Sequence, residues 1–136
     1  MSLKIVNAVE VEVLQTLLTP AHTLRLYGND ITPGDNDIAA NYTEISGGGY
    51  ANLPLTFANW TITAGTPSTA VYNTVATWIF TGAVDAPGSI YGYYITRNTD
   101  GKLLLAERFP AAVVPFSTVA GSKIVVLPRV SCESQF

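Results

Sequence analysis

Charge is what this sequence has least of. Only seventeen of its 136 residues are Asp, Glu, Lys or Arg, 12%, against roughly 25% in an ordinary soluble chain. A folded domain of this length exposes on the order of 7,000 Å², an area that so few ionised side chains cannot dominate. Uncharged polar groups supply part of the cover, with sixteen Thr, eight Ser and eight Asn. The remainder is expected to be covered by other protein.

The other shortages each exclude a class. Ten acidic against seven basic residues, with no basic block, remove the electrostatic footprint of a nucleic-acid binder. A single cysteine, Cys132, forms no intramolecular disulfide, and a single histidine, His22, supplies no Cys/His metal cluster. No run reaches the eighteen or so apolar residues of a membrane span. Glu10 and Glu12 interrupt the apolar stretch where the core of a secretory signal would lie. The chain is therefore expected to stay in the cytoplasm that made it, or in a particle assembled there. Two formal glycosylation sequons, Asn41-Tyr42-Thr43 and Asn59-Trp60-Thr61, then read as chance in a Thr- and Asn-rich sequence.

What is present is 48% hydrophobic, enough to exclude disorder and to give one domain a core without disulfide or metal. From Asn7 to Thr19 two periods compete. Val9, Val11 and Val13 alternate with Glu10 and Glu12 as in a strand, whereas Val9, Val13, Leu17 and Leu14, Leu18 recur at helical spacing. Length and the stop at Pro20 favour a short helix with a polar face of Glu10, Glu12 and Gln15.

From His22 onward short β-like runs alternate with turn residues. Thr23 to Tyr27, Tyr50 to Thr56, Trp60 to Thr63, Val71 to Thr81 and Lys123 to Val130 are the strand candidates. Within Val71 to Thr81, Tyr72, Ala76, Trp78 and Phe80 share one face and Val71, Val75 and Ile79 the other. A strand apolar on both faces is central between layers or has its outer face covered by a partner. Asn98-Thr99-Asp100-Gly101, flanked by Ile90 to Ile95 and Leu103 to Ala106, marks a tight hairpin. Pro110 and Pro115 mark an irregular or edge segment. The expected fold is all-β, a single antiparallel jelly-roll-like β-sandwich with one short N-terminal helix, organised as an N-terminal segment, 1–22, and a β-sandwich unit, 23–136.

Catalytic constellations are scarce. His22 and Cys132 are the only nucleophile and base of their kinds, and both read as spectators. Gly47-Gly48-Gly49 lacks the Lys and following helix of a phosphate cradle and reads as a turn. Asp30, Asp35 and Asp37 invite a calcium reading, but Asp-Asn-Asp after Pro-Gly is ordinary turn chemistry. Glu44 and Glu107 are the glutamates of the β-rich body and the only pair there for glycoside hydrolysis. No catalytic, cofactor or metal residue is assigned. Tyr91 and Tyr93 share one strand face, Tyr94 the other, with Trp60 and Trp78 on neighbouring strands. Such aromatics serve a sugar platform, an oligomer interface or a core; core is favoured for Trp78 and at least one tyrosine. The candidate partner or oligomer contacts are Trp60, Tyr91, Tyr93, Tyr94, Val9, Val13 and Leu17.

A set of motifs adds to this. Leu24-Arg25-Leu26-Tyr27-Gly28-Asn29-Asp30-Ile31-Thr32-Pro33, Tyr42-Thr43-Glu44, Gly49-Tyr50-Ala51, Trp60, Ile90-Tyr91-Gly92-Tyr93-Tyr94 and Leu104-Leu105-Ala106-Glu107-Arg108-Phe109 together resemble a family of small structural proteins encoded by tailed bacteriophages. The resemblance runs from the N-terminal segment to Pro128 and carries no active-site residue. It implies a β-rich, non-enzymatic virion component made in the host cytoplasm, a homo-oligomer (trimer favoured over dimer) contacting major capsid or tail proteins of the same particle. Fibre tips follow a long repetitive shaft, which is lacking here. Capsid decoration or cementing is therefore the first expectation, a tail-fibre or receptor-binding tip the second, and a carbohydrate-binding module the third.

Overall fold

The computed structural model describes residues 5–132. Among them the chain runs α1 (Asn7–Leu18), β1 (His22–Tyr27), β2 (Leu53–Leu55), β3 (Trp60–Thr63), β4 (Ser68–Tyr72), β5 (Ala76–Ile79), β6 (Gly92–Arg97), β7 (Leu103–Arg108), β8 (Lys123–Val126) and β9 (Arg129–Cys132), with single 3-10 turns at Ala39–Asn41 and Phe57–Asn59. The fold is mostly β. Its strands form three antiparallel sheets, ordered β2-β1-β6-β7, β3-β4-β9 and β5-β8.

Helix α1 ends where Thr19 turns both its backbone N–H and its hydroxyl onto the Gln15 carbonyl, one residue before Pro20. The face it buries runs through Glu10, Leu14 and Leu18. This overturns the expectation that Glu10 lies on the polar face: it is 2% exposed. Leu14 and Leu18 are the largest apolar groups available at i, i+4 spacing, and the seam they define passes through position 10. The carboxylate is tolerated there because the Ser68 hydroxyl, itself buried, donates to Glu10 Oε1 at 2.9 Å. Val9 and Val13 are left outside.

The β6–β7 hairpin forms where Asp100-Gly101 places it. Gly101 has φ +72°, and its N–H donates to the Arg97 carbonyl. The Arg97 guanidinium bonds both Asp100 oxygens, at 3.0 and 2.6 Å, and so holds that carboxyl down to about 2. On β1, Leu24 and Leu26 lie opposite Ile95 and Tyr93 and are fully buried with them in the main core.

Two of the expected strands each break in two. Val71 to Thr81 divides between β4 and β5, and Lys123 to Val130 between β8 and β9. The breaks face each other: β4 pairs with β9 and β5 with β8, so the four pieces are one long antiparallel ribbon bent at its middle. Tyr72 still donates its N–H to the Pro128 carbonyl, while the next regular pair is Ala76 with Val126. Three residues, 73–75, thus stand opposite Leu127 alone. Pro128 has no N–H to continue the ladder, and the mismatch of two residues bends the ribbon without exchanging its faces. Tyr72, Ala76, Trp78 and Phe80 therefore keep the shared face that their spacing predicts, and that face points inward.

One cluster of buried apolar residues joins α1 (Leu14, Leu18), the four-stranded sheet (Leu24, Leu26, Leu55, Ile95) and the ribbon (Ala70, Trp78, Ile124, Val126). A smaller cluster of Tyr27, Tyr42 and Tyr94 lies apart, with Tyr42 stacked on Tyr94 at 5.2 Å.

Candidate assembly surfaces

The bend leaves the outer face of β5 and β8 uncovered. Alternation along the two strands turns Val75, Thr77 and Ile79 outward from one and Lys123, Val125 and Leu127 from the other. Ile79 is 65% exposed, and Val75, Val125 and Leu127 are each about half exposed. Four large apolar side chains therefore form one exposed surface, the kind of contiguous patch that marks an interaction site. The sequence placed Val75 and Ile79 on one face without deciding whether it lies between layers or outside; it left Val125 and Leu127 unremarked, although they alternate with buried Ile124 and Val126.

A second apolar surface lies on α1. Val9 and Val13 are 43% and 45% exposed, and with half-buried Leu17 they line an open cleft of about 450 Å³ whose other walls are Glu12, Thr16 and Arg97. The three helical members of the expected contact set thus share one accessible stripe.

The aromatic members do not join them. Trp60 is 7% exposed and packs edge-on against Tyr72 at 5.1 Å. Tyr93 is buried and donates its hydroxyl to Glu107 Oε2 at 2.6 Å; burial first and then this bond push its pKa up. Tyr94 belongs to the tyrosine cluster, where burial raises it to about 12. Tyr91 is half-buried beneath the Arg108 guanidinium, 5.1 Å above its ring, and Arg108 is held in turn by Asp30 at 2.7 Å. The surfaces of Trp60, Tyr93 and Tyr94 are closed by this chain's own packing.

The groups considered for chemistry are likewise engaged locally. His22, in β1, and Cys132, in β9, belong to different sheets. The His22 ring is 1% exposed, and neither ring nitrogen meets a partner at hydrogen-bond geometry. Burial lowers its pKa below 6.5, aided by Arg97; the Pro20 backbone and the Asp100 carboxylate pull the other way. Asp37 accepts from the Gly34 N–H and from the Tyr42 hydroxyl, and Asp30 pairs with Arg108. Among the described residues no group of three or more His, Cys, Asp and Glu is placed to hold a metal ion.

Glu44 is the hub that the sequence did not reveal. It accepts from Arg25 and from Tyr50, both at 2.7 Å, and from Asn52 at 3.2 Å, while the Tyr50 hydroxyl in turn accepts the Leu26 N–H. Glu44 lies beside β1 through a bridge to Tyr27, and Glu107 is on β7. Strand β6 stands between β1 and β7, which sets those strands about 10 Å apart. Each glutamate is thus bound to its own tyrosine rather than facing the other.

No helix among the described residues is long and apolar enough to cross a membrane. Comparison of the chain with protein-family models, with curated proteins and with solved structures gave no match.

Proposed function

We propose that the protein is a non-enzymatic structural component of a tailed-bacteriophage virion, a capsid decoration or cement protein that seats on the assembled head as a homo-oligomer, most simply a trimer. The supporting observation is the pair of separate exposed apolar surfaces, one on the β5–β8 face and one on α1, in a chain with only seventeen charged residues. A cement subunit is held in the particle through apolar surface that its own core leaves uncovered. The local engagement of Glu44, Glu107, Asp30 and Asp37 agrees with a role in which no side chain is held ready for chemistry. In this reading the four-stranded sheet and the bent ribbon stack as the two layers of a jelly-roll-like sandwich, a reading supported by the single core that joins them.

The test is to strip the protein from purified heads and measure the temperature and osmotic shock at which they burst. Stripped heads should burst at lower temperature and under milder shock, and adding the protein back should restore them. Unchanged head stability, or absence of the chain from the purified particle, would overturn the proposal.

A further inference from the structure

The two apolar surfaces match in length and carry opposite charges. From Val9 to Leu17 the helical stripe runs eight residues, about 12 Å. From Val75 to Ile79, and from Lys123 to Leu127, each outward row runs four residues, about 13 Å. The stripe lines a cleft, whereas Ile79 is the most exposed of the four apolar side chains on the sheet. The only charge on the outward sheet face is Lys123. The cleft carries Glu12 together with Arg97, whose charge is balanced by Asp100. Among the described residues neither Lys123 nor Glu12 takes part in an ion pair.

We infer that α1 of one copy of this chain docks on the β5–β8 face of the next, with Val75 and Ile79 entering the cleft lined by Val9, Val13 and Leu17 and with Lys123 facing Glu12. The contact is heterologous, because pairing either surface with its own twin would put two Lys123 or two Glu12 side chains in one interface. Opposite charges fix which surface meets which. Head-to-tail contacts close into rings when the rotation permits, and a three-membered ring is the trimer of the preceding section. The inference rests on the reading of the protein as a self-associating structural component.

The experiment uses the full chain in sedimentation velocity. Wild-type protein should form a discrete oligomer. Val13→Asp and Ile79→Asp, each at an exposed position, should both be monomeric yet fold, and an equimolar mixture of the two should give a one-to-one dimer and nothing larger. That follows because the first retains an intact sheet face and the second an intact helix. Glu12→Lys and Lys123→Glu should each weaken assembly by about fivefold, and the double variant should recover it, which keeps the test decisive if an aspartate variant fails to fold. Assembly of Val13→Asp like wild type would show the sheet pairing with itself. Assembly of Ile79→Asp like wild type would show the same for the helix. Either result, or a wild-type monomer at the highest soluble concentration, overturns the inference. Co-sedimentation with stripped heads separates the two readings: a monomer that still binds heads sinks only the docking, and an oligomer that ignores heads sinks only the capsid role.

Discussion

Glu10 and Ser68, 58 residues apart in sequence, meet at 2.9 Å with both side chains closed to water. This contact fastens α1 to the ribbon, since Ser68 begins β4 and also accepts the Gly65 N–H. With its amide oriented to satisfy both groups, Asn7 donates to Glu10 and to the Gly65 carbonyl as well. Removing the hydroxyl takes a partner from a buried carboxylate, so Ser68→Ala should cost about 1–3 kcal/mol. Exposed Glu12 on the same helix gives the control, with Glu12→Gln expected within about 0.5 kcal/mol of wild type. Urea unfolding at constant m-value checks both.

His22 supplies a pH dependence whose sign follows from its burial. Folded, the ring protonates below its ordinary 6.5; unfolded, it protonates at that value. As pH falls through 6.5 the unfolded state takes up a proton that the folded state refuses, so stability present above 6.5 is lost on acidification. Melting temperature should therefore decline from pH 7 to pH 5, and His22→Leu should flatten that decline. An equal slope in the variant would show that another group titrates.

Trp60 separates core from platform. A stacking tryptophan on the surface could be truncated at little cost to stability. Because this one is buried against Tyr72, Trp60→Ala should lose about 3–5 kcal/mol, or roughly 10–15 °C of melting temperature in a domain of this size. Differential scanning calorimetry reads the loss directly.

The turn at Gly48 joins a left-handed backbone to a close approach. Its φ is +61°, and a Cβ there would lie 2.8 Å from the Gly82 carbonyl oxygen. Gly101 has a similar φ of +72° with open space around it. Gly101→Ala should therefore cost about 1–2 kcal/mol, the backbone penalty alone. Gly48→Ala should cost more, and the difference measures how tightly the glycine turn sits on residues 82–83. Equal losses in chemical denaturation would remove the close approach from the explanation.

Features governed by neighbours in sequence were legible from the sequence. The hairpin follows from Asp100-Gly101, the end of α1 from Thr19-Pro20, and strand β3 from its own β-branched run. That Tyr72, Ala76, Trp78 and Phe80 share a face was legible too, because a two-residue bulge preserves alternation; that this face is the inward one was not. The bend itself was not: it arises where Pro128 meets residues 73–75, and nothing local to either run announces the other. Burial of Glu10 was hidden for the same reason, its partner Ser68 lying 58 residues away at the start of β4. Core was favoured for at least one tyrosine, but the sequence did not say which, since an aromatic residue's area is the same in core and interface; the choice depends on Glu107 reaching Tyr93 and Tyr42 reaching Tyr94. The exposed row of Val125 and Leu127 was readable in the alternation of its strand once the ends of that strand were known.

The bent ribbon also constrains the order in which this chain can acquire structure during synthesis. Strand β4 emerges from the ribosome about sixty residues before its partner β9, and β5 about fifty before β8, whereas β6 and β7 are joined by a five-residue turn and close within microseconds. The hairpin therefore precedes the ribbon. Until residues 123–132 have been made, β4 and β5 lack these partners, and that segment acts as the clasp that shields a nascent chain from its neighbours on the same message.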